Sequence, residues 1–134
     1  MSLVWQDDLA LAKRQVGTAW YAAIVQIMLF VLADLMRLSA GALTMPNLVL
    51  TAIFAVVAGT QAAGVARFQL TSALLLLANG LVWTFVSFQA THYVPFLLGG
   101  LLFVACYGRG VLGVRTFAKV QAEWAKVSAP VWSP

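Results

Sequence analysis

The segment FQLTSALLLLANGLVWTFVSFQATHYVPFLLGGLLFVACYG, residues 68–108, runs for 41 residues without an acidic or basic side chain other than one histidine. A transmembrane helix needs about 20 predominantly apolar residues, so this segment is long enough for two spans. Near its middle, His92 adds a polar group and Pro95 is suited to the first turn of a helix. The segment therefore predicts two transmembrane helices, one directly after the other.

Two shorter uncharged stretches precede this segment, and each is long enough for one span. They cover residues 15–33 and 38–66. Together the three stretches predict spans at about 17–38, 47–66, 70–90 and 95–114. The composition agrees, because 63% of the chain is hydrophobic and 9% is charged, whereas soluble domains are about a quarter charged. The expected fold is an all-α integral membrane protein, a four-transmembrane-helix bundle.

The basic residues predict the orientation of this bundle. Seven of the eight lie before the first span, between the second and third, or near and beyond the end of the fourth: Lys13, Arg14, Arg67, Arg109, Arg115, Lys119 and Lys126. Only Arg37 falls on the other side. Because basic residues accumulate on the cytoplasmic side, both termini are expected in the cytoplasm, with a bacterial-type inner membrane presumed. The net charge of +4 then indicates affinity for anionic lipid headgroups, and no nucleic-acid partner is expected.

Short amphipathic tails are predicted at both ends of the chain. The C-terminal tail, about 114–127, has apolar residues at helical spacing: Val114, Phe117, Val120, Trp124 and Val127. The N-terminal segment has a weaker apolar stripe of Trp5, Leu9, Ala12 and Val16. Such helices lie in the membrane interface, so we expect both tails at the cytoplasmic surface. A helix that docks a partner protein is the alternative for the C-terminal tail.

The second and fourth spans resemble each other at an offset of 49 residues. The offset aligns Pro46, Leu48, Phe54, Gly59, Gly64, Val65 and Phe68 with Pro95, Leu97, Phe103, Gly108, Gly113, Val114 and Phe117. A duplicated hairpin, with a pseudo-two-fold axis along the membrane normal, would produce this pattern. Two helices that need the same start and packing signals would produce it as well.

Small residues in the second and fourth spans mark candidate helix-packing positions. Ala55, Gly59 and Ala63 lie four residues apart, and Gly64 lies four residues after a threonine. The repeat adds Gly108 and Gly113. Small residues at this spacing let another helix approach closely in lipid. We expect the partner of the second span to be another span of the same chain, with a second copy as the alternative.

Polar residues inside the spans are the candidates for a functional site, because they are costly in lipid unless they find partners. Gln26, Gln61 and Asn79 share a similar depth near the middle of the predicted spans. We expect them to form hydrogen bonds between helices; a polar site for a small substrate is the alternative.

A second polar group is expected toward the outer side of the membrane. It comprises Asp34, Arg37, Ser87 and His92. Asp34 and Arg37 are three residues apart, which suits an ion pair on one helix. We expect an ion pair at headgroup depth; the alternative is a site for a proton, a cation or a polar ligand.

The residues of catalysis and metal binding are scarce in this chain. One cysteine and one histidine permit neither an internal disulfide nor a bis-histidine haem site, and no cluster of metal ligands is present. We also find neither a phosphate-binding loop nor a catalytic triad pattern. No enzymatic activity, catalytic residue, metal or cofactor is expected.

These observations favour a small non-catalytic membrane protein that acts through helix packing, as an accessory, assembly or modulatory subunit or as a homo-oligomer. Its expected partners are the lipid bilayer and either further copies of itself or a larger membrane complex. A small oligomeric transporter or channel for a polar solute or ion is the alternative. A lipid- or quinone-binding membrane protein is the third, since apolar grooves between helices need few polar groups.

Overall fold

The computed structural model describes the backbone of residues 2–132 and the side chains of 6–90 and 92–126. The backbone forms four helices: α1 (Ser2–Ser39), α2 (Met45–Ala66), α3 (Leu70–Thr91) and α4 (Val94–Trp132). Each contains a segment that is long and apolar enough to cross a membrane. The prediction of an all-helical fold with four candidate spans is therefore confirmed.

The four helices form a ring in chain order, which α4 closes by packing on α1. Neighbouring helices are antiparallel: Gln15 of α1 contacts Thr116 of α4, while Gln26 contacts Tyr107. The start of α1, the end of α4 and the α2–α3 turn thus share one end of the bundle, here the terminal end. The α1–α2 and α3–α4 connections lie at the opposite, loop end.

Helix lengths divide the molecule into a bundle and a two-helix stem. With 22 residues each, α2 and α3 are about 33 Å long, close to the thickness of a bilayer's hydrocarbon core. With 38 and 39 residues, α1 and α4 are about 57 Å long. Their additional length lies at the terminal end, where residues 6–16 and 113–126 form the stem.

The stem differs from the predicted surface tails. Ala12, Val16 and Val120 are buried, and Gly113 lies directly against Ala12 and Val16. Part of each apolar stripe is therefore buried against the other tail, whereas Trp124 of the predicted C-terminal stripe is 59% exposed. No glycine or proline interrupts residues 114–129, so α4 passes the predicted span end at 114 without a break. The side chains of Trp5 and Val127, which the predicted stripes included, lie outside the described residues.

Each helix connection contains one residue in the left-handed region. Gly41 follows α1 with a φ of 70°. Phe68, in the α2–α3 turn, and His92, at the end of α3, have φ values of 59° and 50°. The Phe68 ring stacks on Phe117 of α4 with 3.9 Å between ring centroids, and the His92 N–H donates to the Phe88 carbonyl oxygen. These contacts hold two non-glycine residues in a conformation that glycine adopts more easily.

The outer surface of the bundle is apolar, whereas much of its interior is made of small residues. Alanines of α1, α2 and α3 are buried in the core, and the rings of Phe30, Phe54 and Trp83 pack together where α1, α2 and α3 meet. Leucine and valine side chains project outward from every helix, and phenylalanine side chains do so from α3 and α4. An exposed apolar surface of this extent is typical of contact with lipid, which agrees with four candidate transmembrane helices and suggests a membrane protein.

Candidate functional site

The most extensive helix contact joins α1 and α4. A Cβ atom built on Gly110 would lie 2.5 Å from the Cβ of Ala19, and one on Gly113 would lie 2.8 Å from the Cβ of Gln15. The two backbones approach this closely because neither glycine has a side chain. Sequence analysis named Gly113 but not Gly110 or Ala19. The missed signal is the series Ala12, Val16, Ala19, Ala22 and Ala23 in α1, small or short residues at spacings of one to four.

Tyr107 joins three helices inside the bundle. It is 1% exposed, and its hydroxyl donates a hydrogen bond to Oε1 of Gln26 on α1. A Cβ on Gly80 of α3 would lie 2.6 Å from the Tyr107 ring, so Gly80 provides the space that the ring occupies. One turn further along α3, Thr84 is buried and donates to the Gly80 carbonyl oxygen over 2.7 Å. Sequence analysis missed Gly80 and Thr84.

The three predicted mid-membrane polar residues have different surroundings. Gln26 is buried and is bound to Tyr107. Gln61 is partly buried, and its Oε1 atom is buried without a hydrogen-bond partner. Asn79 is also partly buried. Among the side chains that the structure describes, no hydrogen bond links Gln61 to either of the other two.

The outer polar group contains one ion pair. Arg37 Nη1 lies 3.0 Å from Asp34 Oδ1. The aspartate is 6% exposed, whereas 47% of the arginine side chain is exposed. Ser87 is partly buried on α3, and His92 is exposed at the α3–α4 connection with its ring against Phe88. The structure thus brings Asp34 and Arg37 together and gives His92 a position in a turn.

The predicted packing residues fall into two groups. Gly64 is in tight contact, because a Cβ there would overlap the Ser72 hydroxyl of α3, and Gly113 packs on α1 as described above. Gly59 and Gly108 have open space where a Cβ would be. Ala55 is partly exposed and Ala63 is exposed.

Among the residues that the structure describes, no helix covers the stripe of Ala55, Gly59 and Ala63, here the α2 stripe. This differs from the expectation that another span of the same chain packs on it. The core face of α2 is instead formed by buried residues: Phe54, Ala58, Ala62, Gly64 and Val65. Phe54 determines which face of α2 is buried, because its ring stacks on Phe30 and meets Trp83 edge-on. Burial of an aromatic ring contributes more free energy than burial of an alanine methyl group.

Four of the seven pairs matched by the 49-residue offset have similar surroundings. Pro46 and Pro95 both lie in the first turn of their helices. Gly59 and Gly108 both have open space where a Cβ would be, whereas Gly64 and Gly113 are both in tight contact with another helix. Val65 and Val114 both belong to the core. The last matched pair, Phe68 and Phe117, stack on each other. A duplicated hairpin would produce these similarities, and so would two helices that need the same start and packing signals.

The fold and these contacts define a class: a helical protein with four helices able to span a membrane, held together by close small-residue contacts and by the buried hydrogen bond between Tyr107 and Gln26. In comparisons with known proteins, no family model matches the chain, and no curated protein or solved structure matches it.

Proposed function

We propose that this chain is a non-catalytic membrane protein that acts through helix packing, as an accessory, assembly or modulatory subunit or as a homo-oligomer. We place it in a bacterial-type inner membrane with both termini in the cytoplasm. The excess of basic residues at the terminal end supports this orientation. The observation that carries the proposal is the uncovered α2 stripe.

The α2 stripe has the composition of a helix-helix contact in lipid. Ala55 and Ala63 lie one turn on either side of Gly59, so they leave a shallow groove along the helix. Gly108, at the matched position of α4, is equally open, but Val104 and Leu112 flank it there and leave no groove. The proposed interface is therefore specific to α2, and Gly108 provides a matched control.

The mass of the protein in mild detergent tests this proposal. We expect the wild type to purify as a homo-oligomer or as part of a larger membrane complex. Gly59→Leu fills the groove and should weaken this association about ten-fold or more, whereas Gly108→Leu should leave it unchanged. Equal association of wild type and Gly59→Leu, or an isolated monomer in the wild type, would contradict the proposal.

A small transporter or channel for a polar solute or ion is the second candidate, and one observation favours it. Oε1 of Gln61 is buried without a partner, and an unpaired amide oxygen in a membrane interior is costly unless a ligand or water satisfies it. In this reading Gln26, Gln61 and Asn79 line a path, with Asp34 and Arg37 at its outer mouth. The hydrogen bond that occupies Gln26 and the ion pair that occupies Asp34 argue for the first candidate.

Reconstitution into liposomes separates the two candidates. Solute flux through the protein alone would support a transporter, and Gln61→Leu and Asn79→Leu should then abolish flux without changing the oligomeric state. If the protein is a packing subunit, the liposomes should show no flux above that of protein-free vesicles.

A further inference from the structure

An open cleft lies on the side of the bundle at its terminal end, between α1 and the end of α2. Its volume is about 370 Å³. Lys13, Gly17, Trp20 and Tyr21 of α1 form one wall, and Phe68 of the α2–α3 turn contributes to the other. It does not include the α2 stripe or the polar residues considered above.

Two features keep this cleft open. Gly17 has no side chain, and a Cβ built there would meet no atom within 4 Å. Phe68 is held in place by its stacking on Phe117 of α4. The cleft is therefore part of the packed structure of the bundle and does not depend on a mobile loop.

The lining changes from charged to apolar along the axis of α1. Lys13 lies in the stem, and Trp20 and Tyr21 follow about 10 Å further into the bundle. Their rings meet edge-on, with 5.0 Å between centroids. A cation beside two amphipathic aromatic rings is typical of the depth at which headgroups give way to acyl chains.

An apolar track continues from the cleft along the outside of α1. Tyr21, Val25, Met28 and Leu32 are all exposed and lie three or four residues apart, so they form one stripe down the helix. A ligand with an anionic group at Lys13 could extend its hydrocarbon chain along this stripe. The cleft thus has the charge and the apolar continuation that an anionic amphiphile requires.

We propose that this cleft binds an anionic phospholipid, with the phosphate at Lys13 and the upper part of one acyl chain against Gly17, Trp20 and Tyr21. Charge favours this ligand, because none of the lining residues is acidic and most of the basic residues of the chain lie in the same half of the molecule. The site is independent of the packing function proposed above.

Native mass spectrometry of the detergent-purified protein with added phosphatidylglycerol or phosphatidylcholine tests the proposal. The wild type should retain one phosphatidylglycerol about five-fold more often than phosphatidylcholine. Lys13→Gln should remove this preference. Gly17→Leu should occlude the cleft and lower the retention of both lipids, and the open space at Gly17 lets the helix accept the new side chain.

Two variants outside the cleft serve as controls. Gly108→Leu adds the same side chain at another open glycine, and Lys119→Gln removes an exposed charge from the stem. Both should retain phosphatidylglycerol like the wild type. Equal retention of the two lipids by the wild type would overturn the proposal. So would cleft variants that retain phosphatidylglycerol like the wild type, or control variants whose retention of phosphatidylglycerol falls as much as that of the cleft variants.

Discussion

At the scale of single residues, Tyr107 connects the interior of the bundle. It is the largest side chain that the described core buries completely, and it combines ring packing against Gly80 with a hydrogen bond to Gln26. Gln26 lies in the part of α1 that is long and apolar enough to span a membrane, and an unsatisfied amide is costly in lipid. The tyrosine therefore holds α1, α3 and α4 in one register.

Replacing Tyr107 with phenylalanine should destabilise the protein by about 1 kcal/mol, within the range measured for hydrogen bonds between transmembrane helices. Because the ring stays in place, the decrease in the free energy of unfolding measures the contribution of the hydroxyl group alone. The free energy of unfolding in mixed micelles, titrated with sodium dodecyl sulfate, measures this effect. Tyr21→Phe is the matched control, because Tyr21 is 66% exposed. Equal stability of Tyr107→Phe and the wild type would show that Gln26 needs no partner.

The sequence identifies which residues need partners, but it does not identify the partners. Gln26, Asp34 and Gln61 stand out because polar groups are rare in these spans. Asp34 and Arg37 could be paired in advance, since helical geometry places residues three apart on one side. The partner of Gln26 is 81 residues away, and nothing in the local pattern distinguishes Tyr107 from the other aromatic residues.

At the scale of helices, α1 and α4 form the central pair of the fold. Their contact is governed by the absence of side chains at Gly110 and Gly113. The spacing of glycines predicts that α4 packs closely on another helix, but it leaves open which one. The alanines of α1 decide this, because Ala19 fits directly against Gly110.

Gly110→Leu should force α1 and α4 apart and destabilise the bundle by about 1–3 kcal/mol, the usual cost of overpacking. Gly108→Leu, two residues away and in open space, should change stability by less than about 0.5 kcal/mol. The same unfolding titration measures both variants. If the two variants are equally stable, the close α1–α4 contact is not present in the membrane.

The stem is the element in which sequence and structure differ most. An amphipathic stripe predicts only that one side of a helix is buried, and lipid headgroups or another helix can cover it equally well. Here each tail covers the other. The Thr116 hydroxyl donates to Oε1 of Gln15 over 3.4 Å, and Val120 is buried nearby.

Cross-linking tests whether the stem forms. With Cys106 replaced by serine, Gln15→Cys combined with Thr116→Cys should cross-link rapidly with a short thiol reagent. Arg14→Cys combined with Thr116→Cys should react slowly, because Arg14 is exposed and lies about 100° around the helix. Tails that lie separately on the membrane would give slow reaction of both pairs.

At the scale of the whole molecule, the two helical hairpins have similar burial patterns. The 49-residue offset relates α2 to α4, and a 50-residue offset relates buried positions of α1 and α3: Ala23 to Ala73, Gln26 to Leu76 and Asp34 to Thr84. The sequence reveals the first relation through identities. The relation between α1 and α3 is not visible in the sequence, because most of the paired residues differ in type although each is buried.

The number of helices could be predicted from the sequence because uncharged length alone determines it. The arrangement of the helices could not, since the outward-facing residues of every span are apolar and periodicity does not distinguish a lipid-facing side from a core side. The α2 stripe is an example, because none of the described helices covers it although its periodicity is typical of a helix contact. Its three small residues look like a contact within the chain, but Phe54 turns α2 so that they face outward.

We propose that the chain crosses the membrane four times and keeps both ends together on the cytoplasmic side. Single cysteines at exposed positions test it directly: Ala10→Cys in α1, Ala42→Cys in the α1–α2 connection and Lys126→Cys in α4, each combined with Cys106→Ser. A membrane-impermeant thiol reagent should label position 42 in spheroplasts, and positions 10 and 126 only after the membrane is opened. Labelling of positions 10 and 126 from opposite faces, or recovery of the protein in solution without detergent, would contradict the account.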